Sequence, residues 1–208
     1  MLVGEGQDWT EGEKQAWCKL ARCSHAEVCQ RTKARFNVAS GAYILDVFNS
    51  NIELYPSSCE MRGSDTLCRF LLENLAHYTR LSVLWYLLQA QDVLPSGNLV
   101  NPRELGGSGL IFTQGSHILP LDKLAKKYEE DTAAFLRQGM SLGGTSCKYG
   151  DASIKLFPFP KIPVLVVLWR KDEEFPARVD LLLDDTCSKH LPPDIIWSTT
   201  MMSALVML

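Results

Sequence analysis

Between Thr66 and Gln91 the apolar residues Leu67, Phe70, Leu71, Leu81, Leu84, Trp85 and Leu88 recur at spacings of three and four. That period marks one buried helical face, and the polar stretch from Asn74 to Thr79 predicts a break within it. Two shorter helices are expected upstream, at about 11–22 and 25–33. Thr10 with Glu13, and Ser24 with Glu27, have the spacing at which a hydroxyl and a carboxylate satisfy each other's backbone N–H groups. Gly41 to Phe48 and Ile52 to Pro56 are aromatic and β-branched runs around Asn49-Ser50-Asn51, which predicts a β-hairpin. Pro95-Ser96-Gly97 ends the first half.

Leu124, Ala125 and Tyr128 predict a helix from Leu121. Asp131 is placed to cap another that carries Phe135 and Leu136 and stops at Gly139. The loop Gly106 to Gly109 and a short strand Leu110 to Thr113 are expected before them. The last third alternates differently. Ser153 to Phe157 is a strand, Pro163 to Trp169 is an unbroken apolar run expected to be buried on both faces, and Ala177 to Asp184 is its antiparallel partner. Pro192-Pro193-Asp194 opens a final helix to Leu208. The expected fold is one α+β domain: a mainly antiparallel sheet, built from the hairpin and the C-terminal strands and flanked by helices. Residues 1–9 are expected to be a flexible start.

Composition narrows the function. The 208 residues carry 24 acids and 21 bases, a net charge of -3, which argues against binding nucleic acid through bulk charge. No segment has the roughly 20 apolar residues of a membrane span, and no signal peptide is visible, so a cytoplasmic location is expected. Seven cysteines, an odd number, are then expected as reduced thiols or ligands.

The last third resembles a known family. Leu156-Phe157-Pro158-Phe159-Pro160-Lys161-Ile162-Pro163, Leu168-Trp169-Arg170-Lys171-Asp172-Glu173-Glu174-Phe175-Pro176 and His190-Leu191-Pro192 look like the signature of domain-of-unknown-function family 3786. Glu27-Val28-Cys29, the Tyr43 hairpin, Arg103-Glu104-Leu105 and Leu142-Gly143-Gly144 fit in order. The resemblance spans roughly residues 12 to 208 and implies an origin in anaerobic bacteria or archaea, but no defined activity. Some similar proteins carry an extra N-terminal iron–sulfur domain of the corrinoid iron–sulfur type, which implies a link to anaerobic one-carbon or corrinoid redox metabolism. No Cys-x-x-Cys occurs in this chain, so cluster binding is carried to no residue.

Candidate chemistry centres on Asp172-Glu173-Glu174-Phe175-Pro176. Adjacent carboxylates are hard oxygen ligands for a divalent cation or a source of a general base, and alternation on an extended backbone would bring Asp172 and Glu174 together. A solvated turn between two strands is the simpler reading. Trp169 and Phe175, with Trp85, Trp197, Phe157 and Phe159, are candidates for an apolar pocket. Phe175 is the most informative, because it stands in a polar turn. His190 is placed to approach Asp184 or Asp185, which would tune its pKa or merely cap the helix, and a structural role is expected for all four histidines, His25, His77, His117 and His190. Gly143 and Gly144 expose N–H groups able to cradle phosphate, or simply stop a helix. Cys18, Cys23 and Cys29, with His25 among them, miss the usual zinc spacing, and no metal ligand is assigned. The candidate ligand-binding set is therefore Trp169, Asp172, Glu174, Phe175, Asp184, His190, Gly143 and Gly144, with the cofactor unknown. The expected role is a non-catalytic ligand-binding or accessory domain. A metal-dependent enzyme using Asp172 and Glu174 and a protein–protein adaptor are the alternatives.

Overall fold

The computed structural model describes residues 9–105 and 118–208. Helix α1 (Glu11–Leu20) starts at the expected capping box: Thr10 N–H donates to Glu13 Oε2 at 2.7 Å and Glu13 N–H to Thr10 Oγ1 at 3.3 Å. Trp9 is buried edge-on against Trp17, so the chain is anchored in the core before residue 10. Helix α2 (His25–Thr32) begins at Ser24, but the second capping box does not form. The start is held instead by the Val28 N–H on Ser24 O at 3.0 Å and by burial of Val28 and Thr32.

The hairpin region is a four-stranded antiparallel sheet in sequence order, β1 (Arg35–Asn37), β2 (Ala42–Val47), β3 (Ser50–Tyr55) and β4 (Glu60–Arg62). Phe36, Tyr43, Leu54 and Met61 form one cross-strand row and pack inward, while Arg35, Ile44, Glu53 and Arg62 form the next row on the other face. The turn falls earlier than the Asn-rich segment predicts. Val47 pairs with Ser50, leaving Phe48 and Asn49 as the turn residues, and Phe48 has φ 53°. A long-range contact holds that unfavourable backbone: Phe48 N–H donates to Phe157 O at 3.0 Å.

The long helical pattern is broken as predicted. Helix α3 (Thr66–Arg69), capped by Asp65, runs into a π-helical turn (Phe70–Asn74), and Leu75 leaves helical geometry before α4 (Ala76–Gln89) begins. Helix α4 packs against α1 and against the final helix α8 (Pro193–Leu205), so it is apolar on most sides.

The second sheet is antiparallel in the order β5 (Leu99–Val100), β9 (Arg178–Asp184), β8 (Ile162–Trp169), β7 (Ala152–Phe159), β6 (Thr145–Cys147). Central β8 is buried on both faces for all but Trp169, as its unbroken apolar run requires. Helices α5 (Leu121–Tyr128) and α6 (Thr132–Ser141) cover β9 and β7. The fold class is α+β as expected, but the hairpin and the C-terminal strands form two sheets rather than one. The ladder of β7 shifts register between Leu156 and Phe159, where Pro158 has no N–H to offer, and Phe157 O turns to Phe48 instead.

Helix α6 does not stop at Gly139. A Cβ there would lie 2.4 Å from Ile154 Cγ1, so this glycine lets the helix lie close on β7. The chain turns at Gly143, which has φ 78°. A four-residue helix, α7 (Cys187–His190), precedes α8. Among the described residues, no helix is long and apolar enough to cross a membrane. The predicted strand Leu110 to Thr113, the Gly106 to Gly109 loop and His117 lie outside the described residues.

Candidate functional site

The predicted site residues fall at opposite ends of the β8–β9 ladder. Trp169 pairs with Arg178 at one end, and Asp184 lies six residues further along β9, roughly 20 Å away at about 3.3 Å per residue.

The first end is aromatic. Trp169 Nε1 donates to Asp180 Oδ2 at 2.8 Å, and the Arg178 guanidinium lies over its ring at 4.9 Å. The β6–β7 turn is stitched to the β8–β9 connection: Arg170 N–H donates to Asp151 Oδ2 at 2.7 Å and Asp151 N–H to Leu168 O at 3.0 Å. Gly150, at φ 57°, makes the approach possible, since a Cβ there would stand 2.7 Å from Val167 Cγ1 and 2.8 Å from Leu168 O. In the acidic connection, Asp172 Oδ1 accepts the N–H groups of Glu174 at 2.9 Å and Phe175 at 2.7 Å, and Phe175 O accepts from Asp172 N–H at 3.0 Å. Asp172 therefore closes a turn, and it meets Glu174 through the backbone rather than through paired carboxylates. Lys171 ion-pairs with Glu130 just beyond α5. Phe175 is 66% exposed, Tyr149 52% and Trp169 37%.

The other end is polar and sealed. Asp184 is buried and accepts N–H bonds from Gly97 at 2.7 Å and from Ser96 and Thr186 at 3.1 Å, with the Ser96 and Thr186 hydroxyls adding two more. Burial pushes its pKa up, but the bonds from Thr186, Gly97 and Ser96 outweigh it and hold the carboxyl below its ordinary value. In the tight turn between β7 and β8, Lys161 is 2% exposed. Its Nζ donates to Gln91 O and to Asp92 Oδ1, both at 2.9 Å. On the same residue, Gln91 N–H donates to His190 Nδ1 at 3.2 Å. Nδ1 is therefore the unprotonated nitrogen, and the buried Nε2 carries a proton with no partner. Burial first, then the Lys161 charge, pushes the His190 pKa down to about 4, against an opposing pull from Asp184. Arg31 Nη1 reaches Ala90 O at 2.9 Å. Cations thus collect where the carbonyls at the α4 C-terminus concentrate negative charge.

Lys161 and Gln91 were not singled out by the sequence reading. The available signal was a lone charge inside the apolar run from Phe157 to Val164, next to a proline. Concavities of about 320 Å³ and 520 Å³ flank Gln91, one toward Leu191 and Pro192 and the other toward Gln30 and Arg31. Neither is lined by Trp169, Asp172, Glu174 or Phe175.

The remaining candidates have structural places. The Gly143 and Gly144 N–H groups donate to Met140 O and Gly139 O, so both are held by the helix end rather than offered to phosphate. His25 Nδ1 lies 2.7 Å from Tyr43 Oη, and its ring stacks on Phe36. Phe159 stacks on Tyr86 in the core, Trp197 meets Tyr78 edge-on, and Lys19 lies over Trp85. All seven cysteines are free thiols, and burial raises Cys68 to about 11 and Cys187 to about 12. Among the described residues, no group of three or more His, Cys, Asp or Glu side chains is arranged to hold a metal ion.

The model of a family described as a domain of unknown function, DUF3786, matches residues 24–205. No curated protein and no solved structure gives a significant match.

Proposed function

The chain belongs to this family, and from that premise we propose that it is a non-catalytic binding or accessory domain whose working surface is the aromatic end of the second sheet. One observation carries the reading. At that end Asp172 is engaged in its own turn and Trp169 Nε1 on Asp180, while the side chains of Phe175, Tyr149 and Trp169 remain exposed. Exposed aromatic and arginine side chains are what binding surfaces use for energy. The proposed role is in anaerobic cofactor or redox metabolism linked to corrinoid or iron–sulfur proteins, a reading supported by what the family resemblance implies. A metal-dependent enzyme joining Asp172 and Glu174 to Asp184 or His190 has the length of the β8–β9 ladder against it.

The test is anaerobic purification followed by an ultraviolet–visible spectrum and elemental analysis for iron, cobalt, zinc and manganese, on the natural chain and on Asp172→Asn/Glu174→Gln. The binding reading expects no stoichiometric metal that depends on these two acids. One metal per chain, lost in the double variant, would overturn it in favour of the metal-dependent enzyme.

A further inference from the structure

The connection between α4, which ends at Gln89, and β5, which begins at Leu99, has no helix or strand of its own. From Gln91 to Asn98 no residue is buried; Val93 is half-buried and Leu94 is 71% exposed. Polar contacts hold it at two points. Downstream, Asp184 accepts the Ser96 and Gly97 N–H groups, and Asp185 accepts from Ser96 Oγ at 2.6 Å and from Asn98 Nδ2 at 3.0 Å. Upstream, Gln91 O accepts from Lys161 Nζ, Gln91 N–H donates to His190 Nδ1, and Asp92 pairs with the Lys161 ammonium. A segment fastened by polar contacts rather than by buried apolar side chains belongs to the low-stability part of a fold.

The two fastenings answer differently to acid. Nδ1 holds the Gln91 N–H only while it keeps its lone pair, and a second proton on the ring sets donor against donor. His190 is 0% exposed, so the added charge finds no water where it stands, and Nε2 already lacks a partner. Lys161, from the β7–β8 turn, and Lys189, on the same short helix, oppose a further positive charge on the ring. Asp184, at the end of β9, favours it, but its carboxylate is already taken up by the Ser96, Gly97 and Thr186 donors. Beyond Gln91, Asp92 is engaged by Lys161, and Arg31 by Ala90 O. The downstream anchor outlasts the upstream one on acidification, because its hydrogen bonds hold Asp184 and Asp185 ionised to below the ordinary carboxylate value of 3.8.

We propose that residues 91–95 are a proton-released flap, latched at Gln91 by His190 and Lys161 and hinged on the Ser96-Gly97 anchor. Displacing Gln91 uncovers the imidazole, which then takes up the proton that the closed form refuses. Gln91 is the neighbour of the ring that moves most easily, since it belongs to an element with no buried residue. Gln89 and Gln91 line both concavities at this end, so the same movement removes part of the wall they share. The proposal is independent of the reading of the aromatic end.

Native-state amide hydrogen exchange of the full chain, followed by two-dimensional NMR in low urea, tests it. The Gln91 N–H exchanges through a local opening: its protection is lower than that of the β8 amides and nearly independent of urea. Corrected for the intrinsic rate, that protection falls at least about tenfold between pH 6.5 and about 4.5, because the open form binds the proton across this window. In His190→Asn, which offers Gln91 an acceptor that does not titrate, the fall disappears. Gln91 protection equal to that of β8, or as steep in urea, means that the connection opens only when the whole chain unfolds, and overturns the proposal. So does a local opening indifferent to pH, or an equal fall in His190→Asn. The natural chain alone decides the first two of these outcomes if that variant does not fold.

Discussion

The two ends of the β8–β9 ladder are built from similar residue types and put to opposite uses. At the Asp184 end, a carboxylate, a lysine and an imidazole are sealed from water, and nearly every polar atom has a partner. At the Trp169 end, a carboxylate closes an exposed turn and the rings face solvent. Burial decides the difference. A sealed polar group must be satisfied by the fold and then holds it in one arrangement, whereas an exposed one leaves neighbouring apolar surface free for another molecule.

Substitutions break or sharpen that contrast. Lys161→Ala should cost the most, about 3 kcal/mol in urea unfolding, because it removes the partner of Gln91 O and empties a buried stem. Lys161→Met keeps most of the volume and should cost clearly less; equal losses would mean that the ammonium, not the packing, matters. The His190 effect is comparable in size and appears only with pH. Its folded pKa of about 4 lies below the ordinary 6.5, so between these values the unfolded chain binds the extra proton. Stability should therefore fall as pH drops from 6.5 to 4, by about 3 kcal/mol from this group. His190→Asn should flatten that window, and an unchanged slope would show that other groups carry it. The Asp184 contribution is separable, because it is lost only as the pH falls past the ordinary carboxylate range near 3.8.

At the aromatic end the effects shrink. Gly150→Ala forces a Cβ against Val167 and Leu168 at a left-handed backbone, and about 1–3 kcal/mol is expected, with a change in Trp169 fluorescence as the indole is displaced. Asp172→Ala loses two turn bonds at an exposed site and should cost about 1 kcal/mol or less. Phe175→Ser should leave stability within about 0.5 kcal/mol in urea unfolding, because the ring is 66% exposed. A large loss of stability in that variant would mean that the ring belongs to the core.

Much of the fold was legible. The Thr10–Glu13 capping box and the Asp131 cap, which accepts Ala134 N–H at 2.8 Å, are local devices whose partners lie within one turn of sequence. The unbroken apolar run of β8 required burial on both faces. Strands β5 and β6 and helix α7, two to four residues each, are too short to carry a period and exist because longer neighbours pair with or cover them. Gly139 was read as a helix stop because glycine punctuates chains. Its actual role depends on Ile154, a residue its own segment does not reveal. The site divided the same way. Asp172-Glu173-Glu174 is the polar turn its composition suggests, but grouping Asp184 and His190 with it joined two places that a whole strand keeps apart.

By itself the sequence determined the α+β class, the principal helices and strands, and the absence of bulk positive charge. Each of these follows from short-range periodicity, capping and composition. Only the tertiary structure decided that the strands form two sheets, linked where Phe48 N–H meets Phe157 O, and that Lys161 and His190 meet on Gln91. Those outcomes depend on residues about 70 to 110 positions apart in the chain, where pairing is set by which surfaces can be buried together rather than by any local pattern.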